Sequence, residues 1–252
     1  MKKTFSVKSL VVSMAMISSA ALAVSPASTF ANETVDGGKQ PEPSAGVTAN
    51  IGAVSTYVYR GLKQTGAAAQ GGLDWESDSG FYVGTWASNV DEGDQGQNGL
   101  EIDAYAGWAG TVGKVDLGAG YTGYFYTNAF DKMYNELNLS VGFGGVTLAF
   151  NPGIYDAPNS KGDDTTEYYN VNLSGDVGPI SAQLGYNDWD LSTDSTKDGA
   201  VNTYLNLTYS RELFKGVDGS ITYTGSYAKD DKDDDILQSY LIFGISTTFD
   251  VM

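Results

Sequence analysis

The amino-acid sequence lacks two of the side chains on which enzymes most often depend. Its 252 residues include no histidine and no cysteine. The absence of histidine excludes Ser-His-Asp and Cys-His catalysis and most catalytic zinc sites. The absence of cysteine excludes disulfide bonds, thiolate nucleophiles and iron–sulfur clusters. We therefore expect a protein that carries no metal and no cofactor.

Bases and prolines are also scarce. The chain has 14 Lys and Arg against 31 Asp and Glu, which gives a formal net charge of −17. This acidity argues against a nucleic-acid partner, because such proteins need a basic surface to neutralise phosphates. Proline occurs only 6 times, whereas glycine occurs 32 times and tyrosine 17 times. That composition is typical of many short β-strands joined by turns.

Long apolar runs are missing except near the N-terminus, where residues 1–31 have the pattern of a secretory signal peptide. Lys2 and Lys3 precede an apolar stretch over 10–23, and the triplet 29–31 (TFA) predicts cleavage after its last residue. A second candidate site follows Ala23. A membrane anchor is disfavoured, because the run is shorter than the roughly 20 residues of a spanning helix. We expect a flexible lead-in over 32–46 and one barrel over 47–252.

From residue 47 onward, apolar and polar side chains alternate with a period of two, which predicts β-strands with one apolar face. In 200–211, for example, Leu205 and Leu207 share one face, while Asn206 and Thr208 share the other. No proline falls in the middle of a predicted strand, as ladder hydrogen bonding requires. The predicted strands are 47–60, 67–76, 80–90, 99–110, 114–126, 133–143, 145–151, 166–176, 179–188, 200–211, 216–229 and 236–250.

Short and long connections alternate between these strands, which favours an outer-membrane barrel over a soluble sandwich. The predicted short turns include 77–79, 111–113 and 177–178, whereas 91–98 and 152–165 are examples of the long links. Outer-membrane barrels have short periplasmic turns and long outer loops. The sequence thus predicts an all-β, transmembrane, antiparallel up-and-down barrel of about twelve strands. The even strand number places both termini on one side, which we expect to be the periplasm.

Aromatic residues gather near the predicted strand ends, as expected for rings at the two membrane–water interfaces. The alternative is that they pack a core. The row beside the short turns comprises Trp75, Phe81, Trp108, Phe143, Tyr209 and Phe249. The opposite row comprises Tyr59, Phe125, Tyr168 and Trp189.

One segment carries a family resemblance. Residues 50–65 (NIGAVSTYVYRGLKQT) resemble the opening motif of the TorF family of porins, and 80–90 (GFYVGTWASNV), 100–108 (LEIDAYAGW) and 120–126 (GYTGYFY) also fit. The resemblance covers roughly residues 50–140, and beyond them only the strand rhythm is shared. It implies a Gram-negative outer-membrane barrel with a pore, without naming a solute.

If the apolar face meets lipid, the polar face lines the lumen, because a charged side chain at the bilayer midplane costs on the order of 2–4 kcal/mol. We expect Glu101, Asp103, Asp116 and Glu136 to point inward, where carboxylates would favour cations and neutral solutes over anions. Alternatively, these acids pair with inward bases and merely hold a narrow lumen together. Other side chains expected on this face are Tyr105, Asn138, Asn170, Asn172, Tyr204 and Thr208.

Arg60 is expected at the outer end of the first strand. We interpret it as a constriction or solute-contact residue that pairs with a carboxylate, the alternative being a rim charge solvated by water. Lys63 is a weaker candidate for the same role. The aspartate-rich stretches 163–164 and 230–235 lack the spacing of a calcium loop. They predict solvated outer loops, with weak divalent bridging to lipopolysaccharide phosphates as the alternative.

The sequence therefore predicts an outer-membrane porin-like channel for passive diffusion of small polar solutes, with a preference for cations. Its partners would be outer-membrane lipid and lipopolysaccharide, small polar solutes or ions, and the barrel-insertion machinery. A closed structural or surface-interaction barrel is the first alternative, and a secreted, carbohydrate-binding β-sandwich is the second. Enzymatic activity is not expected, although a carboxylate-pair hydrolase would not need histidine.

Overall fold

The computed structural model describes residues 46–91, 98–156, 166–188, 201–229 and 235–251. The predicted signal peptide, the lead-in except Gly46, Trp189, the pair 163–164 and all but the last residue of 230–235 lie outside these ranges. Among the described residues, no helix is long and apolar enough to cross a membrane. The described strands are β1 (Gly46–Val54), β2 (Tyr57–Tyr59), β3 (Leu62–Thr65), β4 (Ala68–Glu76), β5 (Phe81–Asp91), β6 (Asn98–Val112), β7 (Val115–Tyr126), β8 (Met133–Phe143), β9 (Val146–Asp156), β10 (Thr166–Val177), β11 (Ile180–Asp188), β12 (Val201–Phe214), β13 (Val217–Lys229) and β14 (Asp235–Asp250).

Twelve of these strands, β1 and β4–β14, form one closed antiparallel barrel, and β2 and β3 form a separate hairpin. Each barrel strand pairs with its neighbours in the chain, and β1 closes the ring by pairing with β14 from Thr48↔Asp250 to Val54↔Gly244. Closure removes free sheet edges, which a lipid-exposed sheet cannot leave unpaired. The predicted fold class is confirmed, and the β-sandwich alternative is wrong.

The connections alternate as the sequence predicts. At one end of the barrel, turns such as 113–114 and 144–145 join neighbouring strands with glycines at positive φ, including Gly113 and Gly144. At the other end, the chain segments between strands are longer, for example 55–67 and 127–132. This asymmetry is that of an outer-membrane barrel.

The outer surface of the barrel is apolar, and the interior holds many polar side chains beside an apolar cluster that includes Trp86 and Ile242, unlike a soluble protein. Large apolar side chains face outward and are exposed, with Phe143 at 64% and Leu237 at 82%. Polar side chains such as Asn170, Glu136 and Thr224 are buried on the inner face. Because β-strand side chains alternate between faces, each strand supplies both surfaces. An apolar outer belt is what a barrel needs in order to contact hydrocarbon.

The aromatic row beside the short turns lies on the outer surface as expected. Trp75, Phe81, Phe143, Tyr209 and Phe249 are exposed there, and Trp108 pairs with Phe81 across β5 and β6 while its Nε1 donates to Ser79 O at 2.9 Å.

The prediction of the opposite aromatic row is only partly right. Phe125 is exposed on the outer face, whereas Tyr168 faces the lumen because it shares the inner register of Asn170, and Tyr59 belongs to the β2–β3 hairpin. Tyr169 and Tyr186 occupy the outer face near this end instead, with ring centroids 6.0 Å apart.

Two predicted strands differ from the structure by more than three residues at one end. The segment 47–60 is not one strand, because β1 ends at Val54 and the chain then turns into the hairpin. The segment 145–151 is too short, because β9 continues through Pro152 to Asp156. The ladder between β8 and β9 is interrupted between Glu136↔Gly153 and Leu139↔Phe150. Proline has no N–H to donate to a ladder, so Pro152 is tolerated where the ladder is already interrupted.

Candidate functional site

The connection between β1 and β4 lies inside the barrel. Its hairpin, β2 and β3, pairs Tyr57 with Thr65 and Tyr59 with Leu62. Tyr57 has no exposed surface, Val58 is buried, and Arg60 is 3% exposed. The segment expected to project outward as a strand end and loop is therefore a luminal hairpin, which we define as residues 55–66.

A tight two-residue turn forms the hairpin tip. Arg60 has φ 48° and Gly61 has φ 83°. Positive φ at both central positions is the signature of a type I′ turn, whose twist matches that of the flanking strands. Gly61 is also held by its surroundings, since an added Cβ would lie 2.7 Å from Tyr204 Cβ and 2.8 Å from Ser226 Cβ. The Arg-Gly pair thus allows the tip to approach the barrel wall closely.

One side of the hairpin contacts the wall formed by β5–β7. The Tyr57 ring packs edge-on against Trp86, with centroids 5.7 Å apart, and its hydroxyl donates to Glu101 Oε1 at 3.2 Å. Burial, followed by the charges of Glu101 and Asp103, raises the pKa of Tyr57 well above its ordinary value, so the phenol keeps its proton. Tyr59 reaches Tyr124 on β7, with 2.9 Å between the hydroxyls.

Arg60 forms a buried ion pair with Glu136 on β8. Its Nη1 donates to Glu136 Oε2 at 2.7 Å, and its Nη2 donates to Oε1 at 2.9 Å. Two parallel bonds of this kind match the planar guanidinium to the carboxylate. Burial by itself would lower the pKa of Arg60, but the Glu136 charge outweighs it, so the pKa lies well above its ordinary value.

The opposite side of the tip is bound to the wall formed by β11–β13. Asn187 Nδ2 and Asn202 Nδ2 donate to Arg60 O at 3.2 Å and 3.0 Å. Ser226 Oγ donates to Gly61 O at 2.8 Å. The hairpin is therefore anchored by hydrogen bonds to both walls and crosses the lumen between them.

A belt of amide side chains runs around the inner wall at the level of the tip. Asn138 Nδ2 donates to Glu136 Oε1 at 2.8 Å, and Asn151 Nδ2 donates to Asn170 Oδ1 at 3.0 Å. Asn170 Nδ2 in turn donates to Asn187 Oδ1 at 2.7 Å. The belt connects the ion pair to the residues that hold the tip, and it satisfies buried amides that would otherwise be costly.

The structure brings three of the predicted acids together beneath the hairpin. Glu101 and Asp103 are inner-face neighbours on β6, and Glu136 lies across β7 on β8, all of them buried. Asp103 has no exposed surface, and neither of its carboxylate oxygens has a hydrogen-bond partner among the described residues. Arg60 therefore pairs with only one of these three acids, Glu136.

Other predicted residues lie elsewhere. Asp116 is on the inner face but beside a short turn, where it accepts from Thr111 Oγ1 at 2.7 Å, far along β7 from Tyr124. Lys63 is exposed. The remaining predicted inner-face residues do line the lumen: Tyr105, Asn138, Asn170, Asn172, Tyr204 and Thr208.

Sequence reasoning missed Tyr57 and Gly61, and it did not place Arg60 at a turn. The available signal was Gly61 between two alternating segments, because glycine readily adopts the positive φ of a two-residue turn, but the preceding arginine is not a typical turn residue. Sequence reasoning also did not predict the partners of Asp74, which accepts from Asn50 Nδ2 at 3.3 Å and from the Tyr105 hydroxyl on the inner face.

Comparisons with known proteins identify a family and a fold. Residues 39–249 match a family model described as bacterial protein of unknown function (Gcw_chp). No curated protein matches the chain in sequence. A chain from a study of the in-meso crystallization of membrane proteins aligns with a TM-score of 0.54 and 11% identity, covering 82% of this chain and 84% of that one. The KdgM porin aligns with a TM-score of 0.51 and 8% identity, covering 80% and 99%. These similarities show a shared barrel fold.

Proposed function

The chain belongs to the Gcw_chp family of bacterial proteins of unknown function, and we propose that it forms a narrow, passive outer-membrane pore for small polar solutes. Solutes would be selected by size and charge, without catalysis, cofactor or energy source. The TorF assignment remains a prediction, because the matching family description does not carry that name. The proposed surroundings are outer-membrane lipid and lipopolysaccharide, reached through export and the barrel-insertion machinery.

The luminal hairpin is the observation that carries this proposal. A barrel that only anchored surface loops would need no polar segment folded back into its interior. Here the segment lies inside a closed polar lumen and is held by hydrogen bonds and one ion pair rather than by an apolar core alone. Twelve strands enclose more space than the eight of a barrel filled by its own side chains, and less than the 16–18 of wide porins. A hairpin in a lumen of this size supports the role of a constriction.

Cation preference is a further part of the proposal. Glu101, Asp103 and Glu136 lie beneath the hairpin, where Arg60 pairs with Glu136. A surplus of carboxylates at a constriction attracts cations and repels anions. In a salt gradient, reversal potentials should show cation selectivity. Glu101→Gln combined with Asp103→Asn should reduce it, and an unchanged or anion-selective potential would oppose the proposal.

The pore itself is tested by single-channel recording in planar bilayers. Protein that shows heat-modifiable mobility on detergent gels, the mark of a folded barrel, should produce discrete conductance steps. Liposome swelling with neutral sugars of increasing size would then give the size limit. Folded protein that produces neither current steps nor swelling would contradict a pore.

A closed structural barrel is the second candidate, and the same hairpin favours it in one respect. Its tip is bonded to both walls, so the described arrangement leaves little freedom at that level. The two candidates differ in whether solutes can pass the hairpin. Removal of the hairpin would open either barrel, so the discriminating result is current through the wild-type protein.

A further inference from the structure

The surroundings of Arg60 have the composition of a guanidinium-binding site. Glu136 provides two carboxylate oxygens that receive both Nη groups, at 2.7 Å and 2.9 Å. The guanidinium carbon lies 4.8 Å from the centre of the Tyr59 ring, in a cation–π arrangement. Tyr124 donates to Glu136 Oε1 at 3.3 Å and Asn138 donates to the same oxygen, which fixes the carboxylate. We call Glu136, Tyr124 and Asn138 the guanidinium cage.

The cage belongs to the barrel wall, whereas its occupant arrives on the luminal hairpin. Glu136 and Asn138 lie on β8 and Tyr124 lies on β7, so the cage persists if the hairpin moves. Arg60 Nε has no hydrogen-bond partner among the described residues. The cage therefore recognises the terminal part of the guanidinium, a group that a small molecule can present equally well.

The region offers more acceptor oxygens than Arg60 uses. Three buried acidic side chains, Glu101, Asp103 and Glu136, lie beneath the hairpin, Arg60 pairs with Glu136, and the Asp103 oxygens are unpartnered within the described part of the chain. Buried polar atoms without a hydrogen-bond partner are unfavourable. A solute with several N–H donors beneath the hairpin would supply partners for them.

From this geometry we propose that Arg60 is an internal occupant of a cation site, and that the lumen recognises small organic cations bearing a guanidinium group, which compete with Arg60 for the cage. This inference rests on the proposed pore for its physiological meaning. A planar guanidinium fits the two-oxygen acceptor, whereas an ammonium of equal charge makes only point contacts.

The test uses the full-length protein refolded in detergent, its Arg60→Ala variant and the Arg60→Ala/Glu136→Gln double variant. Methylguanidinium is the probe, and methylammonium is its control of equal charge. We expect millimolar methylguanidinium to raise the Tm of Arg60→Ala by several degrees, because a ligand that binds only the folded state stabilises it. Methylammonium should have a much smaller effect, and the double variant should respond to neither. Equal responses to both cations, or to methylguanidinium in the double variant, would overturn the cage.

Arg60→Ala leaves Glu136 without its partner, so this variant can fail to refold. Refolding is then carried out with each cation present, and heat-modifiable mobility reports the folded fraction. The proposal requires methylguanidinium to restore folding where methylammonium does not. Failure of both to restore it, while the double variant refolds normally, would contradict the cage.

Recording in planar bilayers separates this inference from the proposed pore. In Arg60→Ala channels, methylguanidinium should reduce the sodium current several-fold more than methylammonium does. A guanidinium-specific Tm shift without current in any variant would support the cage and contradict the pore. Sodium current with equal block by both cations, and no Tm shift, would support the pore and contradict the cage.

Discussion

At the hairpin tip, the backbone of Gly61 lies against Tyr204 and Ser226 on the far wall. A Cβ at this position would lie 2.7 Å and 2.8 Å from their Cβ atoms, closer than packed carbons approach each other. A non-glycine residue at φ 83° also costs about 1–2 kcal/mol in backbone strain. Because the neighbouring atoms belong to the barrel wall, the tip has to move if the side chain is enlarged.

We therefore predict that Gly61→Ala displaces the hairpin from the lumen without unfolding the barrel. The chain has no cysteine, so a single Val58→Cys substitution reports on hairpin position through maleimide labelling. Because Val58 is buried, the thiol introduced there should react slowly in the otherwise wild-type chain. It should react at least several-fold faster when Gly61→Ala is also present.

Lys63→Cys provides the matched control, because Lys63 lies on the same hairpin but is exposed. Its labelling rate should be similar in both backgrounds. If Val58→Cys remains protected when Gly61 is replaced by alanine, the tip accommodates a methyl group and the close approach is not decisive.

At the scale of the strand, much of the fold was predictable because period-two alternation is a strong signal. The predicted span of β8 agrees with the structure at both ends, and those of β7 and β13 differ by one residue at one end. The alternation arises because one face meets lipid and the other meets the lumen, so it persists along the full length of each strand.

The hairpin was not predictable by the same rule. Residues 55–60 continue the alternation of β1, but Tyr57 and Arg60 meet inner-wall partners from separate strands, namely Glu101 and Glu136. These contacts join residues that are 44 and 76 positions apart. A local pattern contains no information on such partners, so an inward hairpin and an extended strand end look alike. For the same reason, the acids could be assigned to the inner face but not grouped beneath one segment.

The hairpin is an insertion whose ends already meet. Val54, the last residue of β1, pairs with Ala68, the first residue of β4, so the two strands are in register without it. We predict that replacing residues 56–65 with a short Gly-Ser turn leaves a folded, heat-modifiable barrel and raises single-channel conductance several-fold. Glu136 would lose Arg60 but gain water, which keeps the cost in stability small.

A matched control replaces only Lys63 and Gln64 with glycine and serine, which retains Tyr57, Arg60 and Gly61 in the hairpin. Its conductance should stay close to that of the wild type. If the shortened barrel conducts no better than the wild type, the hairpin is not the constriction.

At the scale of the whole molecule, the fold depends on contact between the apolar outer belt and a hydrocarbon phase. Leu139 lies near the middle of β8 on the outer face, between Ala119 on β7 and Phe150 on β9. Val112 is on the outer face as well but adjoins the turn at 113–114, where headgroups and water are expected. Both side chains are exposed. In water, arginine at either position would have a similar and small effect.

In a bilayer the two positions should differ, because the cost of an outward arginine depends on its depth. Leu139→Arg is expected to lower the free energy of unfolding by about 2–4 kcal/mol, and Val112→Arg by about 0–1 kcal/mol. Reversible denaturant titration of the barrel in phospholipid vesicles, followed by tryptophan fluorescence, measures both. The same pair in detergent micelles should show a smaller difference, since micelles adapt around a charge. Equal costs in vesicles would mean that β8 does not cross the bilayer with Leu139 near its midplane, and the transmembrane orientation would have to be revised.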